Sequence, residues 1–175
     1  MKLKKNKGIL FWITGLSGSG KITIANKIER NILQKYGPTI CLSGDDVREI
    51  FNYKKFSKKN RLYYALSYSR LCKKITDEKI NIIFSTVSLF HEVRRWNKTN
   101  INNYLEIYIK SDINKIIKQK KKFFYKGNHK NIVGKNIIAE FPKSPHITII
   151  NNFKKPINSL AKALSKKIFK KITKI

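Results

Sequence analysis

The chain has 175 residues, 41% of them hydrophobic and 11% aromatic, and its 39 Lys and Arg against 10 Asp and Glu give a formal net charge of +29. This length fits one domain with a sizeable core, and the composition excludes disordered, collagen-like and low-complexity proteins. No apolar run approaches the ~20 residues that span a bilayer, and the run after the basic start is too short for a signal peptide. We therefore expect a cytoplasmic protein without a membrane partner.

The positive charge suggests affinity for nucleic acids, but the pattern of basic residues argues against a dedicated nucleic-acid surface. Six of the 39 basic residues are arginine, and the lysines are dispersed apart from the stretches 118–122 and 166–174. Lysine has A/T-rich codons, so a biased genome also produces such an excess. We expect only non-specific binding of polyanions. Cys41 and Cys72 show no metal-ligand spacing and predict neither a zinc site nor a disulfide framework.

Apolar runs and helical periodicity alternate along the chain. Residues 9–14 are a continuous apolar run, which predicts a strand buried on both faces, and a glycine-rich turn and a helix over 23–33 follow it. The same signals predict buried strands at 39–42, 80–87, 104–109 and 146–150, and helices at 45–51, 58–76, 92–100, from Ser111-Asp112 through 117, and 157–172. The sequence thus predicts an α/β fold, a five-stranded parallel sheet with helices on both faces and ligands at the carboxyl ends of the strands.

The stretch from 118 to 145 interrupts this alternation. It is rich in lysine, contains two glycines and two prolines, and has little periodicity. A stretch of this length without regular structure inside a compact domain is usually a functional lid or a disordered segment. We predict one domain over residues 1–175 with a lid at about 118–145.

A phosphate-binding loop follows the first strand. GLSGSGK matches G-x-x-x-x-G-K and lies between a predicted strand and a predicted helix. The glycines let backbone N–H groups converge on phosphate oxygens, the helix start adds its positive dipole end, and Lys21 reaches the β- and γ-phosphates. We predict that ATP is the ligand. The predicted phosphate-binding residues are Gly15, Leu16, Ser17, Gly18, Ser19, Gly20, Lys21, Ile22 and Thr23.

The residue after the loop lysine departs from the motif. A Ser or Thr hydroxyl usually ligates Mg²⁺ there, whereas this chain has Ile22. Thr23 follows, but a rotation of about 100° per helical residue predicts that its side chain faces away from the metal. Three explanations stay open: a weakened enzyme whose Mg²⁺ is held by other oxygens and water, a nucleotide-binding protein that no longer catalyses, and an error in the sequence. We expect Mg²⁺ as a cofactor, with Asp45 as the candidate ligand from the protein.

Four motifs, in order, resemble those of one enzyme family. They are GLSGSGK, GDDVR at 44–48, FSKKNR at 56–61, and a third strand that ends before VSLF at 87–90. Adenylylsulfate kinases have GLSGSGKST, DGDNVR, FSxxDR and an FISPYR-like segment at the corresponding places. The resemblance covers nearly the whole chain. It implies a P-loop kinase fold and transfer of the γ-phosphate of ATP to the 3′-hydroxyl of adenylylsulfate.

The resemblance also implies roles for individual residues. Lys21 would hold the transferring phosphate and Asp45 would orient or deprotonate the acceptor hydroxyl, which makes these two the catalytic residues. Arg48 and Arg61 match arginines that hold the phosphosulfate of the acceptor, and Phe56 matches an aromatic that stacks on its base. From the residues alone, other interpretations stay open: Asp45 as a helix cap, the arginines as ordinary surface residues, and Phe56 as a core residue.

Departures from the family pattern concern the acceptor base. Ile132 stands where the lid of the family carries an aromatic, and Tyr64 stands in a helix where the family has polar and basic residues. The segments SLFHEVRRWN and KNIVG resemble a divergent branch that includes kinases of cytidine diphosphoramidate. The predicted acceptor-binding residues are Asp45, Arg48, Phe56, Arg61 and Ile132, and the predicted lid residues that close over both nucleotides are Lys121, Lys122, Tyr125 and Lys130.

The resemblance implies an ATP-dependent kinase that converts adenylylsulfate to its 3′-phosphate in sulfate assimilation. The first alternative is a kinase of a cytidine diphosphate derivative, such as cytidine diphosphoramidate, in surface-polysaccharide modification. The second is a weak or silent nucleotide-binding protein, because of Ile22. A nucleic-acid-binding protein is supported by charge alone. The partner expected is a small nucleotide acceptor, and assembly into a homodimer stays open.

Overall fold

Strands and helices alternate along the chain in the computed structural model, which describes residues 1–119 and 130–172. The elements of the described residues are β1 (Leu10–Thr14), α1 (Lys21–Tyr36), β2 (Thr39–Ser43), α2 (Gly44–Ile50), α3 (Lys58–Asp77), β3 (Asn81–Thr86), α4 (His91–Asn100), β4 (Tyr104–Lys110), α5 (Ile113–Lys118), β5 (Ile147–Ile150) and α6 (Ile157–Lys171). Their order agrees with the order that the sequence predicts.

The five strands form one parallel sheet in the order β2-β3-β1-β4-β5. The central strand β1 pairs in parallel with β3 and β4, so that Phe11 lies beside Ile83 and Leu105. Because all strands run the same way, their carboxyl ends meet at one edge of the sheet, where ligands bind in such folds. The predicted five-stranded parallel sheet with helices on both faces is confirmed.

The period-2 alternation of the strands builds a core on each face of the sheet. Leu10 and Trp12 of β1 belong to the layer covered by α3 and α4, and the Trp12 ring stacks on Phe84 at 5.3 Å between centroids. Phe11 and Ile13 belong to the opposite layer, covered by α1 and α6. The central strands are buried on both faces, which explains why their sequences are continuous apolar runs rather than alternating patterns.

Two local predictions about burial are wrong. The second strand was expected to be buried, but β2 lies at the edge of the sheet and the Ile40 side chain is 36% exposed. The helical period of the apolar residues at 24, 25, 28, 32 and 33 predicts an apolar helix face that includes Leu33, but Leu33 is 47% exposed near the C-terminus of α1. That helix runs from Lys21 rather than Thr23 and ends at Gly37, whose N–H bonds the Leu33 carbonyl. Both errors arise because apolar content alone does not say which neighbours cover a residue.

The described part of the predicted lid, 130–145, packs onto the domain. Ile132, Val133 and Ile137 are buried in the core layer of α3 and α4, and an isolated bridge joins Val133 to Ile137. Lys121, Lys122 and Tyr125 lie outside the described residues, so their predicted role stays a prediction. Within 1–119 and 130–172, no helix combines the length and the apolar character that crossing a membrane requires.

Candidate active site

A cavity of about 940 Å³ opens at the carboxyl edge of the sheet. It brings together most of the residues that the sequence assigns to ATP and to the acceptor, together with residues at the ends of β3 and β5. Gly15, Leu16 and Ser19 are absent from its described wall. The lining residues are Ser17, Gly18, Gly20, Lys21, Ile22, Thr23, Gly44, Asp45, Arg48, Phe56, Arg61, Ser85, Thr86, Val87, Gln119, Lys130, Ile132, Val133, Asn151, Phe153, Lys155 and Ile157.

Two glycines fix the path of the phosphate-binding loop. Gly15 has a φ of +153°, and a Cβ there would meet the Ile109 carbonyl oxygen at 2.4 Å, so the loop leaves β1 where a side chain has no room. Gly20, the N-cap of α1, has a φ of +90°, which other residues rarely adopt. Among the described residues no side chain caps α1, so its first backbone N–H groups are available to a phosphate.

Lys21 lies at the base of this loop. Its side chain is buried, and its Nζ donates to the Leu16 carbonyl at 2.7 Å. Leu16 is itself buried, where it packs against Gly134 of the segment 130–141: a Cβ on that glycine would lie 2.7 Å from Leu16 Cδ2. Leu16 therefore shapes the loop from behind, and its backbone rather than its side chain holds the lysine.

The structure offers an incomplete site for Mg²⁺. Ile22 lines the cavity with its side chain 41% exposed and provides no oxygen, and Thr23 borders the cavity as well, although its position predicts that it faces away. The described residues contain no group of three or more His, Cys, Asp or Glu placed to hold a metal. Asp45 is the single carboxylate on the described wall. The donor set does not fit the usual P-loop magnesium site, which needs a hydroxyl at position 22.

Asp45 reaches the cavity because its neighbours cap the helix in its place. Ser43 is the N-cap of α2: its Oγ accepts from the N–H groups of Asp45 and Asp46 at 3.2 Å each, and the Asp46 carboxylate accepts from Ser43 N at 2.7 Å. This reciprocal capping box leaves the Asp45 carboxylate outside the cap. The side chain is 63% exposed and pairs with Arg48. The helix-cap interpretation of Asp45 is therefore wrong.

Phe56, Arg48 and Arg61 form one cluster on the acceptor side of the wall. The guanidinium carbons of Arg48 and Arg61 lie 5.7 and 5.2 Å from the centre of the Phe56 ring. Phe56 is 44% exposed, so the core interpretation of this residue is wrong. Arg61 donates to the carbonyls of Phe56 at 3.0 Å and of Asn131 at 2.8 Å, which joins the start of α3 to the segment 130–141. The cluster combines an exposed aromatic ring with two nearby cations, a surface suited to a nucleotide base and its phosphate groups.

The cavity is strongly positive. Its described wall carries five basic side chains, those of Lys21, Arg48, Arg61, Lys130 and Lys155, against the single carboxylate of Asp45. A concave surface with this balance concentrates anions of high charge, such as the polyphosphate of a nucleotide. These five basic residues therefore create a local site for anions, which the net charge of the whole chain does not predict.

A small side cavity of about 30 Å³ adjoins the acceptor cluster. Tyr64, Tyr68, Ser88 and Phe90 line it together with residues of the main wall. Tyr64 stacks on Tyr53 with ring centres 4.1 Å apart, which fixes its position. Burial raises the pKa of Tyr68 to about 12, although Arg48 opposes the shift, so its hydroxyl stays protonated and donates to the Gly44 carbonyl at 3.4 Å.

Sequence reasoning missed Asn151, which lies directly after β5. It is buried, its Nδ2 donates to the Ser19 carbonyl at 2.9 Å, and its Oδ1 accepts from Phe153 N at 3.0 Å. It thereby ties the phosphate-binding loop to the loop that carries Phe153 and Lys155 on the cavity wall. The signal was present, because a polar residue at the carboxyl end of a predicted strand belongs to the ligand edge of the sheet.

Asn151→Ala is expected to lower the affinity for a non-hydrolysable ATP analogue at least about tenfold. The buried Ser19 carbonyl of the phosphate-binding loop loses its partner, which costs about 1–3 kcal/mol, and about 1.4 kcal/mol corresponds to tenfold. Isothermal titration calorimetry measures the effect. Asn152→Ala is the matched control, because Asn152 is half-buried and bonds only Lys154 N within its own turn among the contacts described. Equal affinities of the two variants would contradict the bracing role of Asn151.

Known proteins resemble this chain in sequence and in fold. The profile of the adenylylsulphate kinase family matches residues 7–150. A cytidine diphosphoramidate kinase of Campylobacter jejuni is 36% identical over 85% of this chain and 88% of its own length, and an adenylyl-sulfate kinase of Clostridium kluyveri is 32% identical over 86% and 79%. The structure of the Mycobacterium tuberculosis APS kinase in complex with AMPPNP and APS matches with a TM-score of 0.82 at 22% identity, over 93% of this chain and 98% of that one, which confirms the predicted P-loop kinase fold. The chain belongs to the adenylylsulphate kinase family.

Proposed function

We propose that the chain transfers the γ-phosphate of ATP to the 3′-hydroxyl of a nucleotide acceptor. The observation that carries this proposal is the content of one cavity: a phosphate-binding loop with Lys21, the exposed carboxylate of Asp45, and the cluster of Phe56 with its two arginines. A phosphoryl transfer needs a cradle for the donor phosphates, a group that takes the acceptor proton, and a surface that positions the acceptor. The cavity supplies each of these.

The donor end of the site is the loop and the start of α1. Backbone N–H groups of the loop and of the uncapped helix hold the β- and γ-phosphates, and Lys21 moves from the Leu16 carbonyl, 2.7 Å away, to the phosphate oxygens. Lys130 and Lys155 add positive charge on the wall. These groups neutralise the charge that ATP brings and that the transferring phosphate spreads over its oxygens.

The acceptor end is built by α2 and the start of α3. Asp45 accepts the proton of the acceptor hydroxyl while the oxygen of that hydroxyl bonds to the γ-phosphorus of ATP. The bond between the γ-phosphorus and the β–γ bridging oxygen breaks, and ADP leaves. Arg48 and Arg61 bind the anionic groups at the 5′ side of the acceptor, while the Phe56 ring stacks on its base. The residues present do not complete the usual Mg²⁺ site, so the charge of the phosphates is neutralised by the backbone N–H groups, Lys21 and the other basic residues of the wall.

Two acceptors fit this chemistry, and different observations support them. The family match supports adenylylsulfate. The 36% identical relative named a cytidine diphosphoramidate kinase supports a cytidine diphosphate derivative. Ile132 and Tyr64 support it as well, because the resemblance to adenylylsulfate kinases implies an aromatic and a polar or basic residue at these places. A changed base pocket beside a phosphate-binding loop that keeps its glycines and its lysine is what a different acceptor base requires. Cytoplasmic location and assembly into a homodimer stay predictions.

An ADP-release assay across acceptors tests the proposal. We expect ATP-dependent ADP release with adenylylsulfate or with a cytidine diphosphate derivative, above the rate without acceptor, and none with the 3′-deoxy form of the acceptor that works. ADP release that no acceptor increases would contradict the proposed activity. Tight nucleotide binding without turnover would point instead to a silent nucleotide-binding protein.

We expect adenylylsulfate to bind to this chain more weakly than to a family member that has an aromatic residue in place of Ile132. The loss of one aromatic side chain that stacks on the base costs about 1–3 kcal/mol of binding free energy. Calorimetric titration in the presence of ADP measures this, and Ile132→Phe is the variant that restores the wall. An unchanged adenylylsulfate affinity in Ile132→Phe would contradict the weakened base clamp. Tight adenylylsulfate binding without any binding of cytidine nucleotides would eliminate the alternative acceptor.

A further inference from the structure

Arg94 is a buried cation that phosphoryl transfer does not use. It lies in the first turn of α4, its side chain is 9% exposed, and it is absent from the described wall of the cavity. Its Nε is 3.6 Å from Oε1 of Glu106 in the middle of β4, whose side chain is also 9% exposed. Burial raises the pKa of Glu106 to about 7, against the opposing effect of Arg94. This pair therefore lies in a poorly solvated part of the domain.

The other side of the guanidinium holds the segment 130–141. Arg94 Nη2 donates to the Glu140 carbonyl at 2.6 Å and lies 2.5 Å from His91 Nδ1. Glu140 makes two further contacts, with the loop after β3 and with the start of α4: its N–H donates to the Leu89 carbonyl at 3.0 Å, and its carboxylate accepts from His91 N. We call these three contacts of Glu140, with Arg94, Leu89 and His91, the Glu140 clamp.

The segment that the clamp holds forms part of the cavity wall. Ile132 and Val133 line the main cavity, and Val133 also lines the small side cavity with Ser88 and Phe90, which flank Leu89. At its other end the segment is bonded to Arg61 through the Asn131 carbonyl. The segment is thus fixed at two points, by an arginine of the predicted acceptor site and by Arg94.

Stability alone does not explain the Arg94–Glu106 pair. Taking two charges out of water costs several kcal/mol for each ion, and an apolar pair of similar size is often as stable or more so. At 3.6 Å the pair is not hydrogen-bonded, and Arg94 Nη1 is buried with no hydrogen-bond partner among the described residues. The arrangement orients the Arg94 side chain, because Glu106 and His91 hold the guanidinium group with one edge toward the Glu140 carbonyl.

We propose that Arg94 is a positioning residue, which acts through Glu140 to fix the segment 130–141 against the loop after β3 and so sets the wall of the cavity at Ile132 and Val133. The proposal rests on the proposed function only in identifying this wall with the acceptor side. Arg94 does not touch the reacting atoms. Its effect passes through the clamp to the place where the acceptor base lies.

Arg94→Lys tests the proposal, with Arg95→Lys as the matched control on the same helix. Lysine keeps the positive charge beside Glu106 but lacks the planar fork that also reaches Glu140. Arg95 is exposed, so the same substitution there alters no buried contact. Hydrogen exchange followed by mass spectrometry is expected to show about tenfold faster exchange of amides in 130–141 for Arg94→Lys, as expected for one lost charge-assisted hydrogen bond, and no change in peptides of α1.

Kinetics provide the second measurement. The KM for the acceptor is expected to rise about fivefold or more in Arg94→Lys while the KM for ATP changes less than about twofold, since the donor loop keeps its contacts. Glu140→Gln keeps the main-chain bonds and weakens the bond from His91 N. It is expected to give the same pattern with a smaller effect, and it serves as the test if Arg94→Lys fails to fold.

Three results would overturn the proposal. In the first, amides of 130–141 exchange no faster in Arg94→Lys than in Arg95→Lys. In the second, exchange in Arg94→Lys is faster by the same factor over the whole domain. In the third, Arg94→Lys raises the KM for the acceptor and the KM for ATP equally. If the unaltered chain phosphorylates no acceptor, the proposed function fails, whereas the exchange experiment still decides whether Arg94 positions the segment.

Discussion

Lys21→Ala is expected to lower turnover at least about 100-fold while the fold stays intact, because removal of one preorganised group that stabilises transition-state charge typically costs about 10²–10³ in rate. The lysine side chain is buried at the base of the phosphate-binding loop, where its Nζ donates to the Leu16 carbonyl at 2.7 Å, so its positive charge is held at this loop before ATP binds. Steady-state kinetics and circular dichroism measure the two effects. Lys27→Ala, at an exposed position of the same helix, is the control.

Asp45→Asn is expected to have a similar effect on turnover for a different reason. The amide cannot accept the proton of the acceptor hydroxyl, but it occupies the same space and leaves the capping box of Ser43 and Asp46 in place. Glu49→Gln is the control, because Glu49 is exposed on the same helix and is not part of the described wall. Parental rates in both Lys21→Ala and Asp45→Asn would show that the cavity has been assigned to the wrong chemistry.

Ile22→Thr is expected to raise the rate and to lower the Mg²⁺ concentration for half-maximal activity at least about tenfold, since even outer-shell changes alter metal affinity about 10–100-fold. The threonine would restore the hydroxyl that P-loop kinases place between the phosphates. Fold stability should change little, because Ile and Thr have similar helix propensities and the Ile22 side chain is 41% exposed.

Binding measurements separate this effect from catalysis. The affinity for a non-hydrolysable ATP analogue without metal is expected to be nearly unchanged in Ile22→Thr, since the backbone cradle and Lys21 do not depend on that hydroxyl, whereas the affinity with Mg²⁺ should rise. Leu33→Thr, at an exposed apolar position of the same helix, is the control. Equal Mg²⁺ titrations of the parent and Ile22→Thr would mean that the hydroxyl is dispensable here or that Thr23 has taken its place. Loss of the residual activity in Thr23→Val would favour the second explanation.

The sequence predicts most of the fold because most strands of this chain have a clear sequence pattern. Strands such as β1 and β4 are buried on both faces, and burial on both faces produces continuous apolar runs bounded by turn residues. The edge strand β2 shows the limit of this signal: Ile40 is apolar yet exposed, because burial depends on neighbours distant in sequence. The segment 130–141 shows another limit, since its buried residues follow no regular period and are held by Glu140 and Arg94.

The sequence predicts those parts of the candidate site in which a short motif fixes the relative positions of its residues. The phosphate-binding loop and the cluster of Arg48, Phe56 and Arg61 lie together on the cavity wall, as their motifs imply. Asn151 and the Glu140 clamp were not predicted, because a single asparagine or glutamate has no local pattern and acquires its partner only in the folded chain. At Ser43 and Asp46 the chain departs from the DGDN pattern, and in the structure these two residues form the capping box that leaves Asp45 exposed.

The position of the transferred phosphate tests the account most directly. The reaction of the unaltered chain with ATP and the accepted nucleotide is followed by ³¹P nuclear magnetic resonance, with Lys21→Ala as the control. We expect one new phosphomonoester, coupled to the ribose H3′ proton and formed in equal amount to ADP, in the parent and at a strongly reduced rate in the variant. A phosphate on another atom, or ADP formed with no new phosphomonoester, would contradict the proposed nucleotide 3′-hydroxyl kinase.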